Sequence, residues 1–412
     1  MAVLAFGTVV ARAFTLVSMP LLARIYTDEN FGVLSMYTAL VMVSTPFLSL
    51  RYVTALPLPR SNALAVNLLA ASFVVILISG SILSALVFLF GQDLLGLMNM
   101  ELLAPWLWLV VIGAIGAAIY ELLSMWATRE RRYALISKTV AKQSLIGESA
   151  KVILGLLSLK GYGLLIGQFL SMVSGSVQLF FNFKRDSGRL IKKVTGKRMG
   201  KAVYLYRGFP LYRMPSQAML VLSQQLPVMA IAAMYGASEV GQFSLAFIAV
   251  MLPVNLLSQN ISKSFYAEIA NGRRDRSILS IMARVSAVLV LVAIFPACLL
   301  YYYSEPLFSI FLGEGWELSA VIARNLSFYA FFLFVSVPFV TVFNILKKQS
   351  IYLLVNGIRL LVIVFVFFVF PEDVSVDELV LVYSLSMSFF FLFVFVCAFF
   401  CVYQEAKGRG AC

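Results

Sequence analysis

The sequence predicts an all-α integral membrane protein with about twelve transmembrane helices in two pseudo-symmetric six-helix lobes. Three observations predict it. Of 412 residues, 61% are hydrophobic and 12% charged, and the mean hydropathy is +0.94. An ordinary soluble domain is about 45–50% apolar and about 25% charged. Apolar runs of about 20 residues, enough to cross a bilayer, recur along the whole chain. The basic residues fall on alternate connections between those runs, as they do when one set of loops faces the cytoplasm. A chain this apolar would leave more greasy surface than a soluble fold can hide. A soluble enzyme, a disordered chain and a disulfide scaffold are thereby excluded.

The first span, about 2–22, starts almost at the first residue. It lacks the basic region of a cleaved leader, and Arg12 interrupts it. Spans two to four fall at about 31–50, 63–90 and 104–126. The fifth, about 141–159, has the weakest pattern because Glu148 and Lys151 break it; the sixth is about 163–183. Six more follow at about 211–235, 241–262, 279–303, 321–346, 351–370 and 378–403. Short connections such as Gly236–Val240 and Pro371–Asp377 carry turn residues. The longest cytoplasmic connection divides the chain into an amino-terminal lobe, 1–183, a basic linker, 184–210, and a carboxy-terminal lobe, 211–412. The linker's KRDSGRLIKKVTGKR run reads as a topology-setting segment, with anionic lipid headgroups as the alternative partner.

The formal charge is +13, from 32 Lys and Arg against 19 Asp and Glu. Twenty-four of the bases lie in the tail or in connections after even-numbered spans: Arg51, Arg60, the Arg129–Arg132 group, nine between Lys184 and Arg207, Arg273, Arg274, Lys347 and Lys348 among them. Only Arg24 and Lys160 lie in connections after odd-numbered spans. Twelve acids show the opposite preference, Asp28, Glu101, Glu239, Glu314 and Asp377 among them. This bias predicts an inner-membrane protein with both termini in the cytoplasm. It calls for no nucleic-acid partner.

Each half would then start on the same side and hold six spans, the arrangement of parallel repeats about an axis along the membrane normal. Weak internal similarity agrees. ARIYTDENFGVLSMY covers the turn between spans one and two, and AAMYGASEVGQFSLA that between spans seven and eight. Tyr26 and Gly32 align with Tyr235 and Gly241 at the same six-residue spacing. FGQDLLGLMNMELLA and YSEPLFSIFLGEGWELSA mark the corresponding turns between spans three and four and between nine and ten.

A charge at bilayer depth costs at least about 2.5–3.5 kcal/mol on insertion scales, so such residues face a bundle interior or a wet cavity. Arg12 and Arg359 fall near the middle of spans one and eleven, Arg213 opens span seven, Arg324 lies in the outer third of span ten, and Arg51 caps span two. Ion pairing or snorkelling is the competing reading for each. The spans hold six bases against two acids, Glu121 and Glu148. A cavity lined that way attracts anions, and the Arg fork suits phosphate. Glu148 and Lys151, three apart, share a helix face and can pair. With Glu121 they are the candidates for coupling transport to an ion gradient. His is absent, which removes His metal sites and His proton relays. Cys397 and Cys401, one turn apart in an apolar run, read as packing residues. No phosphate-binding loop of the G-x-x-x-x-G-K-[ST] type is present, and neither cofactor nor metal is expected.

The motifs MPLLARIYTDENFGVLSMY and RYVTALPLPR resemble the amino-terminal signature of bacterial polysaccharide flippases of the Wzx (PST) type. These belong to the multidrug/oligosaccharidyl-lipid/polysaccharide exporter superfamily. YRGFPLYRMPSQAMLVLSQQLPVMAIAAMYGASEVGQFSLAF is similar to that family's seventh and eighth spans, and FLGEGWELSA to its ninth-to-tenth turn. The resemblance implies a flippase for undecaprenyl-diphosphate-linked oligosaccharide, a central cationic cavity between the lobes, and alternating access coupled to H⁺ or Na⁺. It implies the lipid-linked oligosaccharide and membrane lipids as partners, with a polysaccharide polymerase and a chain-length regulator in the same pathway. Arg12, Arg51 and Arg213 occupy places matching the family's cavity bases; Arg324 and Arg359 are added on charge and depth alone. Two other functions fit a chain of this kind. One is a multidrug or cation exporter of the same superfamily, which would favour an acidic cavity. The other is a membrane-embedded polymerase or ligase acting on the same lipid-linked sugars.

Overall fold

The computed structural model describes residues 2–157, 159–270, 276–345, 349–369 and 374–409. Every regular element among them is helical, as expected where no water is available to satisfy backbone groups. The α-helices are α1 (Ala2–Ile25), α2 (Asp28–Ser49), α3 (Asn62–Gly96), α4 (Leu107–Arg129), α5 (Tyr133–Leu156), α6 (Lys160–Ser187) and α7 (Gly196–Leu205). They continue with α8 (Met214–Tyr235), α9 (Ala237–Ala270), α10 (Arg276–Leu312), α11 (Glu317–Ile345), α12 (Gln349–Val369) and α13 (Val376–Arg409). All except α7 have 21 residues or more, about 30 Å of helix, the depth of a bilayer core. Ten are also apolar enough to cross a membrane, and α12 contributes the shorter apolar stretch Leu354–Val369. Helix α5 has span length but carries Lys138, Lys142, Glu148 and Lys151. The chain is therefore a multi-pass membrane protein with the expected set of about twelve span-length helices.

Several boundaries differ from the expected ones. Helix α10 runs on to Leu312 across a break at Tyr303 (φ −125°, ψ 18°), taking in part of what reads as an outward loop. Pro306 accounts for the break, because it supplies no N–H to the preceding turn and its ring crowds the carbonyl four residues earlier. The linker holds a 3₁₀ turn (Gly188–Lys193) and α7, and its end enters a π-helical turn (Phe209–Arg213). Asn67, fully buried in α3, holds it in place: its amide donates to the Lys193 carbonyl (3.0 Å) and its oxygen accepts from the Thr195 N–H (3.0 Å). The bases Arg273, Arg274, Lys347 and Lys348, the turn residues Pro371–Asp373, and Cys412 lie outside the described residues.

The chain packs as two compact units, Met1–Gly241 and Gln242–Cys412. Helix α8 packs along α2 within the first unit. The cause is visible at the two turns the internal repeat singles out. A Cβ on Gly32 would stand 1.9 Å from the Ala237 carbonyl oxygen, and a Cβ on Gly241 1.9 Å from the Asp28 carbonyl oxygen. Each glycine thus meets the backbone four residues ahead of the other glycine. Ser238 donates to Asp28 Oδ2 (2.6 Å) across the same contact.

Elsewhere in the first unit, close approach again depends on small residues. Gly163, Gly167, Ser171 and Gly175 recur every fourth position of α6. A Cβ on Gly167 would lie 2.9 Å from the Lys151 nitrogen, and one on Gly147 of α5 2.5 Å from the Ser171 Cβ. The second unit is pinned by polar side chains at a helix end and along one helix seam. Gln242 donates to the Gly315 carbonyl (2.7 Å) and accepts from the Ser319 N–H (3.0 Å), fixing the α10–α11 turn. Ser384 of α13 donates to the Asn325 carbonyl (2.6 Å) and accepts from the Tyr329 N–H (3.2 Å), locking α13 onto α11.

Candidate functional site

Helix α5 brings Glu148 and Lys151 onto one face, as their spacing requires, and Lys151 Nζ lies 3.1 Å from Glu148 Oε1. The helix α1 supplies what the spacing did not reveal. Ser18 donates to Glu148 Oε2 (2.9 Å), and Thr15 reaches Oε1 at 3.5 Å. Lys151 is buried, and Tyr26 donates to its backbone carbonyl (2.6 Å). The carboxylate thus has an ammonium on one side and two hydroxyls from a second helix on the other. Low polarity strengthens every one of these interactions and would make an unpaired member costly.

The second polar pair joins two residues assigned to different roles. Arg51 Nη1 lies 2.7 Å from Glu121 Oε1, with both side chains mostly covered. Arg51 follows the left-handed C-cap of α2 and is itself left-handed (φ 58°), as is Leu50 (φ 43°). That turn swings the guanidinium back toward α4. Arg51 was expected to hold substrate and Glu121 to couple an ion; here each neutralises the other. The Arg51 Nε is buried without a hydrogen-bond partner.

The remaining candidates are separate. Arg12 is exposed near the middle of α1 and has no ion-pair partner among the described residues. Arg213 is exposed at the end of the π-helical turn that precedes α8. In the second unit, Arg324 is half-buried on α11. Arg359 on α12 hydrogen-bonds the Tyr329 hydroxyl, which also bonds Tyr383 of α13. Its Nε is buried without a partner. Both partners are phenols, so among the described residues Arg359 has hydrogen bonds and no ion pair.

Sequence reasoning did not single out Ser18, Thr15 or Asn67 for these roles. A hydroxyl in an apolar span is ordinary packing until its partner is known. The repeat alignment did mark Gly32 and Gly241, though not their contact with each other.

The polysaccharide biosynthesis protein family matches the chain over residues 21–321. No curated protein matches it in sequence. Among solved structures, the lipid II flippase MurJ in an inward closed conformation superposes with a TM-score of 0.70 at 14% identity, covering 99% of this chain and 91% of that one. An inward-facing multidrug resistance MATE family transporter of the MOP superfamily gives 0.64 at 14% identity, covering 98% and 94%. A mutant of the Vibrio cholerae MATE transporter VcmN gives 0.55 at 13% identity, covering 99% and 95%. At these identities the likeness is one of fold. With three-quarters of its length matched by the family, the chain belongs to the polysaccharide biosynthesis protein family, and it has the fold seen in MurJ and the MATE transporters.

Proposed function

We propose that the protein is a flippase that moves undecaprenyl-diphosphate-linked oligosaccharide, an O-antigen or similar repeat unit, across the bacterial inner membrane by alternating access. Its role is transport, without bond making or breaking. The observation that carries this reading is Arg12. An unpaired guanidinium at mid-bilayer depth cannot face lipid cheaply, so the exposed face of α1 that bears it borders a hydrated path. The diphosphate is the natural anion for that path, and the fork geometry of Arg matches its oxygens. Arg213, exposed in the same unit, adds positive potential, and Arg51 joins it when it leaves Glu121. The excess of bases over acids inside the spans favours this anionic substrate over the cationic drugs of a multidrug exporter. Family membership favours a sugar-bearing one. Both termini lie in the cytoplasm on the basic-residue bias. A polymerase and a chain-length regulator act on the product side.

A deletion strain tests the reaction class. Lipid-linked units trapped on the cytoplasmic leaflet support the flippase; units that reach the periplasm and stay unjoined overturn it in favour of a polymerase. The site is tested by Arg12→Ala. Because Arg12 is exposed and unpaired, protein levels should stay unchanged while surface polysaccharide falls about tenfold, the loss expected for one charge-assisted contact of about 1.5 kcal/mol. Normal polysaccharide in that variant would remove Arg12 from the path.

Coupling to H⁺ or Na⁺ is assigned to Glu148, supported by Ser18, Thr15 and Lys151 around it. The isosteric Glu148→Gln keeps the size of the side chain and one acceptor oxygen but holds no exchangeable charge. In proteoliposomes it should abolish the acceleration of transport by an imposed ion gradient while leaving slow downhill flipping. A variant that still responds to the gradient as the parent does would place coupling elsewhere.

A further inference from the structure

The first unit has a polar cavity at the end that the basic residues assign to the cytoplasm, apart from the in-span charges discussed above. It has a volume of about 340 Å³ and is lined by Pro57, Pro59, Arg60, Asn62, Trp126, Arg129, Glu130 and Leu190. Three segments build it: the loop after α2 with the first residue of α3, the last turn and C-cap of α4, and the 3₁₀ turn at 188–193.

The charges in its wall are not balanced. Glu130 is the only acid there, and its oxygens are engaged with other groups. Oε2 accepts from Arg132 (2.9 Å) and Oε1 from Ser187. Arg132 also pairs with Asp186, which holds Arg185 as well. That cluster uses up its own charge. Arg129 is different: its guanidinium donates to the Pro59 and Leu56 carbonyls and to Asn62 Oδ1 (3.1 Å). All three acceptors are neutral, so the positive charge is positioned and left uncompensated. Arg60, exposed, has no partner among the described residues. Trp126 forms a rigid wall, buried and anchored by its Nε1 donating to Ser187 (3.4 Å). Arg189, Lys192 and Lys193 of the adjoining turn add to the positive field.

We infer that this cavity binds a lipid-borne phosphate group presented at the cytoplasmic leaflet. Arg129 is held ready with its remaining N–H donors, and Arg60 supplies a second guanidinium from the exposed loop. Two guanidiniums give the bidentate donor geometry that phosphate oxygens take best. Two lipids carry that chemistry: the diphosphate of the proposed substrate and the headgroup of an anionic phospholipid. Only the choice between them rests on the flippase reading. With the diphosphate, the cavity is where the headgroup docks before it enters the path across the membrane.

The test uses the full-length protein, delipidated in detergent, with farnesyl diphosphate and dioleoylphosphatidylglycerol as separate probes. Farnesol and dioleoylphosphatidylcholine are the phosphate-free and zwitterionic controls, and bound lipid is counted by native mass spectrometry. Arg60→Ala removes an unpartnered loop side chain, so the fold should be intact. Arg129→Lys keeps the charge but loses the fork and guards against a folding artefact of the alanine. Binding of an anionic probe about tenfold weaker in both variants supports the cavity. If the diphosphate shows this, the cavity loads substrate; if only phosphatidylglycerol shows it, the cavity anchors a membrane lipid. Equal binding of both probes by parent and variants overturns the inference. Arginine-dependent diphosphate binding by a protein that fails to flip would sink the flippase reading alone. Normal flipping with arginine-independent binding would sink the cavity alone.

Discussion

Replacing Glu121 by Ala is expected to lower the unfolding free energy by about 3–5 kcal/mol, the cost of stranding a covered charge whose partner has been removed. The Arg51 guanidinium would keep its place under the end of α2 with one buried Nε already unpartnered and its 2.7 Å contact gone. Arg51→Ala should cost a similar amount through the orphaned carboxylate. The backbone gives a way to separate charge from strain. Arg51 is left-handed (φ 58°), a conformation that disfavours any side chain by roughly 1–2 kcal/mol. Arg51→Gly loses the pair but relieves that strain, so it should be about 1 kcal/mol more stable than Arg51→Ala. The apolar double variant Arg51→Met with Glu121→Leu should recover most of the loss, because removing both charges also removes their desolvation cost. Unfolding titrations in mild detergent measure all four. If Glu121→Ala unfolds like the parent, the pair is not buried in the working protein. If the double variant is stable yet fails to transport, Arg51 has a role beyond the pair, as expected of a base that exchanges Glu121 for substrate during the cycle.

How much of this was legible beforehand depends on the distance over which each interaction acts. The apolar runs are local, so the span-length helices followed from the sequence, and even the weakness of α5 was informative. Glu148 and Lys151 disrupt its apolar pattern because they face Ser18 and Thr15 of α1 rather than lipid. Their own pairing was legible because three residues of one helix fix it. The Arg51–Glu121 pair was not, since 70 positions separate its members and only the left-handed turn at Leu50–Arg51 brings them together. The linker's structure was missed for a different reason. Helix α7 is short and highly charged, so no apolar run announces it; it packs on α3, a distant helix whose buried Asn67 fixes the chain just before it. The contact between the two turns at Asp28–Gly32 and Ala237–Gly241 was equally hidden, because it depends on two glycines whose effect appears only when the backbones they admit are seen together.

Those glycines carry the other large expected effect. Gly32→Ala places a Cβ where the Ala237 carbonyl oxygen stands 1.9 Å away, and Gly241→Ala does the same against the Asp28 carbonyl oxygen. Both obstacles are backbone, so no rotamer change can relieve them, and the two turns must separate by more than 1 Å, on the order of the gap to ordinary packing distance. Separation breaks the 2.6 Å bond from Ser238 to Asp28 and loosens α8 from α2. A disulfide reports this directly. With Asp28→Cys and Ser238→Cys in a background whose native cysteines are serine, oxidation should link the turns readily in the parent. It should fall at least several-fold when Gly32→Ala is added. Unchanged cross-linking would mean that the turns do not rest in this contact. The reciprocity makes a sharper demand. If two independent contacts were involved, combining Gly32→Ala and Gly241→Ala would multiply the losses, since distant sites act additively in free energy. Here each glycine admits the backbone that carries the other, so one substitution already opens the crossing. The second should add little, and the double variant should cross-link almost as the singles do. That non-additivity would tie the repeat visible in the sequence, Tyr26 and Gly32 against Tyr235 and Gly241, to a single two-sided contact that neither half can form alone.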